Sequence, residues 1–182
     1  MLAGLKGGRL DNLVMRVTDL VFAFPDILLA ILIVGVLGKS LQNVLLALAL
    51  VGWPGMVRLV RGQVLGLRHR EFVDAARAMG ASDGRIMLRH LLPNVLGPVI
   101  VAATVGMGAI VLAESTLSFL GLGIQEPYPS WGSMINQGWK FRRTDPMLTI
   151  YPALLLALTI MAFNFLGDGL RDWLDPRSRS TG

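Results

Sequence analysis

Residues 147–166 constrain this chain more than any other stretch, because twenty consecutive positions carry no charge. Read as a helix rising ~1.5 Å per residue, the run is long enough to cross a hydrocarbon core of ~30 Å. Three further apolar runs precede it. Residues 20–37 are apolar apart from Asp26, with Pro25 expected to kink their start. Residues 41–60 follow after the tight break Gly38-Lys39-Ser40 and run into Arg58 and Arg61, with Trp53-Pro54-Gly55 as an expected interruption. Residues 95–113 are uncharged and rich in small side chains, and Gly97, Ala102, Gly106 and Ala109 read as helix-packing positions. The pattern predicts an all-α polytopic membrane protein: one transmembrane domain over 1–182 with four spans, a polar loop at 61–94 and a second loop at 114–146.

Composition agrees. The chain is 53% hydrophobic and 16% charged, where soluble domains carry about a quarter charged residues. Its net charge is +5 and its pI near 10.4. In a soluble chain that balance would suggest nucleic acid, but here the basic residues sit between apolar runs, so topology accounts for them and no nucleic-acid partner is expected. The absence of cysteine excludes disulfides, thiolate catalysis and cysteine metal sites. Residues 1–8 show no signal-peptide pattern.

The basic residues orient the spans. Lys6, Arg9 and Arg16, then Arg58, Arg61, Arg68, Arg70, Arg77, Arg85 and Arg89, then Arg171, Arg177 and Arg179 fall on one side. Lys39, Lys140, Arg142 and Arg143 fall on the other. Thirteen against four predicts cytoplasmic termini and a cytoplasmic central loop. Asp26 is the one charge inside a span, near its cytoplasmic end; a role capping backbone at the Pro25 kink and a role in a pathway both fit it. Glu114, at the border of the third span, is a second polar candidate.

The central loop has form of its own. Phe72, Ala75, Ala76 and Met79 fall at i, i+3, i+4 and i+7, which predicts one apolar helix face with Glu71, Asp74 and Arg77 off it. Gly80 is the expected helix stop, Ser82 the expected N-cap of a second helix with Asp83 in its first turn, and Pro93 the end of the polar stretch. Small side chains at Ala75 and Ala76 would let another protein approach the backbone closely. A helix lying on lipid headgroups fits the same periodicity.

Three motif matches lack their context. Gly80-Ala81-Ser82-Asp83-Gly84 matches G-x-S-x-G, but a nucleophile elbow needs a strand before the serine, and a helix is expected there. Gly38-Lys39-Ser40 ends like a phosphate-binding loop, but Ile33 occupies the required first glycine. His69 and His90 are too few and too poorly spaced to hold a metal.

The segment from Asp74 to Pro93 resembles the EAA loop of ABC-importer permeases, whose pattern is E-A-A, three residues, G, nine residues, I-x-L-P. Asp74-Ala75-Ala76 takes the triplet, Gly80 has the right spacing and Leu92-Pro93 closes it. Asp74 replaces Glu. His90 stands where Ile is general, in the Arg-His-x-Leu-Pro-Asn form of the peptide/nickel branch. The resemblance implies a coupling helix, carried by Phe72, Asp74, Ala75, Ala76, Met79 and Gly80, that docks on an ATPase subunit.

Four further stretches resemble the C-type permease subunit of dipeptide, oligopeptide and nickel importers. They are Gly7-Gly8-Arg9-Leu10-Asp11-Asn12 with Ala23-Phe24-Pro25; Ala113-Glu114-Ser115-Thr116-Leu117-Ser118-Phe119-Leu120-Gly121-Leu122-Gly123 with Pro127-Tyr128-Pro129-Ser130-Trp131-Gly132; Ala162-Phe163-Asn164-Phe165-Leu166-Gly167-Asp168-Gly169-Leu170-Arg171-Asp172; and Leu174-Asp175-Pro176-Arg177. The resemblance implies the type I ABC-importer permease fold in the inner membrane and alternating access without a cofactor. It also implies a second permease subunit, two ABC ATPase domains and an extracytoplasmic solute-binding protein. Family members usually have six spans, and this chain begins where the third is expected. An inactive or purely structural membrane fragment is therefore the alternative expectation, with a hydrolase using Ser82 a remote third.

Overall fold

The structure, a computed structural model, describes residues 1–124 and 127–174. Arg177, Arg179 and the end of the motif at 174–177 lie outside the described residues. The helices are α1 (Leu2–Lys6), α2 (Gly8–Phe22), α3 (Asp26–Leu37), α4 (Leu41–Leu67), α5 (Glu71–Ala78), α6 (Asp83–Ile86), α7 (Leu92–Phe119), α8 (Trp131–Trp139) and α9 (Met147–Leu174), with a π-helical segment, Met87–Leu91, between α6 and α7. No strand occurs among the described residues.

Among the described residues, three helices are long and apolar enough to cross a membrane: Leu41–Leu67, Asp83–Phe119 and Met147–Leu174. The expected first span is different. Pro25 ends one helix and starts another, so α2 and α3 form a broken pair that reaches the count of four only if taken as one span. The twelve residues of α3 rise about 18 Å, short of a ~30 Å core. The break follows from Pro25, which takes the extended backbone of an N-cap, φ −60° and ψ 128°. The expected interruption at Trp53-Pro54-Gly55 is corrected: α4 runs through Pro54 unbroken. A proline in such a helix forfeits one backbone bond, which the surrounding turns of an apolar helix tolerate. The helices also outrun the apolar runs. Glu114 and the serines after it belong to α7, and α8 occupies part of the expected outer loop.

Two compact units can be distinguished among the described residues: 1–23, 54–103 and 168–174 form one, those within 24–53 and 104–167 the other, and α4, α7 and α9 contribute to both. The first has a core of Leu5, Val64, Val73, Ala76, Ile86, Leu91 and Val95. The second is built on Ala30, Val34, Val44, Ala47, Leu48, Val51 and Leu117. Outside these cores the long helices are apolar and exposed, as at Leu32, Val36, Leu154, Leu158 and Phe165. Only 17% of the most apolar window of Met147–Leu174 is buried. Such a surface is unfavourable in water and suits lipid, where the helix satisfies its own backbone bonds.

Within the second unit, the small-residue expectation is met at a different position. Gly106 has open space around it, while a Cβ on Gly108 would lie 3.5 Å from Ile160. Gly108 is thus a contact point of α7 and α9 in this unit, while in the other unit the expected position Gly97 meets Leu174, 3.9 Å from its notional Cβ.

Candidate functional site

The polar central segment builds a short helix with two different faces. Its first turn carries Glu71 and Asp74 and its last turn Arg77, charges that complement the helix dipole at each end. Arg77 also donates from Nη1 to the Arg68 carbonyl at 3.3 Å and to Asp74 Oδ1 at 3.4 Å. Val73 and Ala76 are buried against Val64, Ile86, Leu91 and Val95. Phe72 is 40% and Met79 82% exposed, and Ala75 is exposed as well. The expected single face of Phe72, Ala75, Ala76 and Met79 is therefore corrected. Ala76 belongs with Val73, three positions earlier, on the inner face, and the other three form an outer apolar face that the described residues leave largely uncovered. A two-turn helix offers both stripes, and burying Val73, worth ~1.5–3 kcal/mol, decides between them.

The stop at Gly80 is the one expected. Gly80 has φ +78°, its N–H donates to the Arg77 carbonyl at 2.9 Å, and the Ala81 N–H donates to the Ala76 carbonyl at 3.0 Å. This is a Schellman closure, and Ala81 packs on the core beside Ala76, supplying its apolar contact. Ser82 is the N-cap of α6, accepting from the Arg85 N–H at 3.4 Å. The serine-elbow reading fails here, since a helix precedes Ser82 and its Oγ caps backbone.

Pro93 closes the polar stretch without interrupting the helix. It lies in the first turn of α7, and residues 83–119 form one continuous helical run. The π-helical segment just before it is a feature that sequence periodicity missed. In a regular α-helix residues five apart point roughly 140° apart, yet Ile86 and Leu91 are both fully buried in the same core. The wider π turn brings them onto one side. Asn94 then donates from Nδ2 to the His90 carbonyl at 2.6 Å, satisfying an acceptor at the point where the bonding pattern changes. His90, the departure from the general loop pattern, lies beside Phe72 with ring centroids 6.4 Å apart.

A second feature missed in the sequence braces this unit. Arg61 donates from Nε to Asp11 Oδ1 at 2.8 Å and from Nη2 to Oδ2 at 2.7 Å. Arg58 pairs with Asp19 at 2.6 Å and lies 4.0 Å over the Phe22 ring. Arg58 and Arg61, counted above only as cytoplasmic charge, tie α2 to α4. The signal available was the spacing of Asp11 and Asp19, two turns apart on one helix.

Asp26 and Glu114 lie in the other unit. Asp26 is the exposed first residue of α3, and it makes no side-chain hydrogen bond or ion pair among the described residues. The expected backbone cap is corrected, since Pro25 holds the cap position; Asp26 acts on the helix only through its charge at the positive end. Glu114 is half-buried. Ser118 Oγ donates to Glu114 Oε1 at 2.5 Å and Ser115 Oγ to Oε2 at 3.4 Å. Around it the loop is packed without slack. A Cβ on Gly132 would fall 1.9 Å from the Ser115 carbonyl oxygen, and one on Gly123 equally close to Ser118 Oγ. The α8 helix opens with a capping box between Ser130 and Ser133, and Asn136 donates from Nδ2 to the Phe119 carbonyl at 2.7 Å. The Ser and Gly residues of this stretch, with Asn136, thus build a tight cover on α7.

The chain is similar to the dipeptide transport system permease protein of Alkalihalophilus pseudofirmus, with 47% identity over 180 residues, covering 99% of this chain and 59% of that protein. It is also 47% identical over 167 residues to the glutathione transport system permease proteins of Shigella flexneri and Escherichia coli, covering 92% of this chain and 55% of theirs. The chain thus spans less than two thirds of the length of these relatives. The family model for the binding-protein-dependent transport system inner membrane component matches residues 1–180. A helical, lipid-suited chain with that match along nearly all of its length belongs to the family of binding-protein-dependent transport system inner membrane components.

Proposed function

We propose that the chain is the membrane-embedded permease part of an ATP-driven ABC importer for peptides or peptide-like solutes such as glutathione, and that it takes its drive from ATPase subunits through α5. The observation that carries the coupling is the two-faced helix. Val73 and Ala76 lock α5 to the core of its own unit, while Phe72, Ala75 and Met79 remain uncovered beside Asp74. A helix held on one side and bare on the other transmits a push from a docked partner into the core. The continuous run 83–119 leads from that core into an apolar helix. Asp74, Ala76 and Gly80 shape the docking helix; Phe72, Ala75 and Met79 make its contact surface.

The same reading places both termini and α5 in the cytoplasm, and residues 38–40 and α8 outside. It supplies the remaining partners: a second permease subunit, two ATPase domains and an extracytoplasmic solute-binding protein. Nickel is a less supported cargo, because the relatives' names speak of dipeptide and glutathione.

The deciding experiment is site-directed cross-linking in the assembled importer. A cysteine at Met79 should cross-link to a co-expressed ATPase subunit and one at the buried Ala76 should not. If the Met79 cysteine instead reacts with a lipid-phase reagent and never with the ATPase, α5 is a headgroup helix.

A further inference from the structure

Glu114 lies in the wall of a cavity of about 520 Å³ whose other walls are apolar apart from Ser130. Leu45 and Leu48 of α4, Ile110 and Val111 of α7 and Trp131 and Met134 of α8 line it. The size is that of a small-solute site, and a mainly apolar wall with a few convergent polar groups is the usual make-up of such sites. Glu114 is the charged group in this lining, beside the hydroxyl of Ser130. Its two oxygens receive serine hydroxyls, and no Lys or Arg pairs with it among the described residues. A carboxylate against apolar walls draws a cation, because a charge in poor solvent is costly unless paired. Its position is well determined. Ser118 Oγ, which donates to Glu114, also accepts from the Ile124 N–H at 3.2 Å, and Gly123 and Gly132 press the loop onto the helix turn that carries both serines. Trp131 adds an aromatic wall, whose ring face attracts ammonium groups.

We propose that this cavity is a subsite for an ammonium group carried on an apolar body, the amino end of a transported peptide, with Glu114 as its counter-ion and Trp131 as its aromatic wall. The identification of the ammonium as a peptide's amino end rests on the peptide-import reading above; the cation preference does not. Ser115 and Ser118 are positioning residues. They hold the carboxylate without neutralising it, which leaves its charge for the ligand.

The test uses the importer assembled with its partner subunits in detergent or lipid nanodiscs. Its probes are phenethylammonium, N-acetylphenethylamine and 3-phenylpropionate, with binding read by calorimetry. The ammonium probe should bind about ten- to hundredfold more tightly than the acetylated one, the range of a charge-assisted hydrogen bond, and the anion should not bind. Glu114→Gln should bring the ammonium and acetylated probes to similar affinity. Ser118→Ala should keep the cation preference with weaker binding. Equal binding of cation and anion, no binding of the ammonium probe, or an unchanged preference in Glu114→Gln would overturn the proposal. If Glu114→Gln does not assemble, the three-probe comparison on the unmodified importer still decides. Dipeptide uptake is measured in parallel: lost uptake with probe preference intact sinks the peptide reading alone, and normal uptake with no preference sinks the subsite alone.

Discussion

Arg61 grips Asp11 with two near-parallel hydrogen bonds, 2.8 and 2.7 Å, and the Asp11 side chain is only 9% exposed. The pair joins α2 to α4 within one unit. Gly4 is pressed in beside it, since a Cβ there would lie 3.3 Å from Val64.

Removing one partner should cost more than removing both. Asp11→Ala strands the guanidinium, and breaking a fully buried pair costs ~3–5 kcal/mol. Arg61 keeps 34% of its side chain exposed, so a clearly smaller loss is expected here. Asp11→Ala combined with Arg61→Met should be more stable than Asp11→Ala alone. Thermal unfolding in detergent measures both, and equal stability of the single and double variants would mean the two residues are not coupled.

Bulk on the two faces of α5 should have different consequences. Ala76→Trp forces a ring into a filled core and should cost ~1–3 kcal/mol or more of stability. It is therefore a folding variant and a poor probe of docking. Met79→Asp changes an exposed position, should leave stability within about 0.5 kcal/mol, and should weaken association with the ATPase. Full-strength ATPase association in a well-folded Met79→Asp variant would count against docking through this face.

Gly80→Val places a β-branched residue at φ +78° and should cost about 1–2 kcal/mol or unwind the Schellman closure. Gly80→Asn should cost less, because asparagine visits this region. Protease susceptibility between Ala78 and Ser82 reports the closure, and similar behaviour of the two variants would remove the conformational explanation.

Glycines that look alike in sequence should differ sharply. Gly132→Ala brings a methyl onto the Ser115 carbonyl and should release α8 from α7, with destabilisation at or beyond ~3 kcal/mol. Gly62→Ala meets nothing within 4 Å and should stabilise α4 by about 0.5–1 kcal/mol. Thermal melts of the two variants, with Gly62→Ala as the internal control, decide the matter.

The proposed orientation can be read by cysteine labelling, because the chain has no cysteine of its own. Position 140 is exposed, whereas a cysteine at position 132 would disturb the loop. An impermeant thiol reagent on intact cells should label Lys140→Cys and should reach Arg77→Cys only after permeabilisation. The reverse pattern would invert the topology.

Several features depend on short stretches of chain and were legible there. Uncharged runs can only be helices suited to lipid. Gly80 and Ser82 are local stop and start signals, and each acts through backbone bonds within a few residues. The loop motifs of the central and outer segments led to the same family as the match over residues 1–180. Other features needed neighbours distant in sequence. Which stripe of α5 is buried was decided by Val64, Ile86 and Leu91, because an eight-residue helix carries two apolar stripes and periodicity cannot rank them. The π-helical turn exists because it brings Ile86 and Leu91 into that same core. Pro54 was read as a break because proline forfeits a backbone bond, yet packing keeps the helix whole around it. Asp11 and Arg61 lie fifty positions apart, so their pairing is a property of packed helices. Glu114 was a polar candidate in the sequence, but what it could bind followed only when α4, α7 and α8 set mainly apolar walls around it, for a carboxylate takes its chemistry from what surrounds it in space.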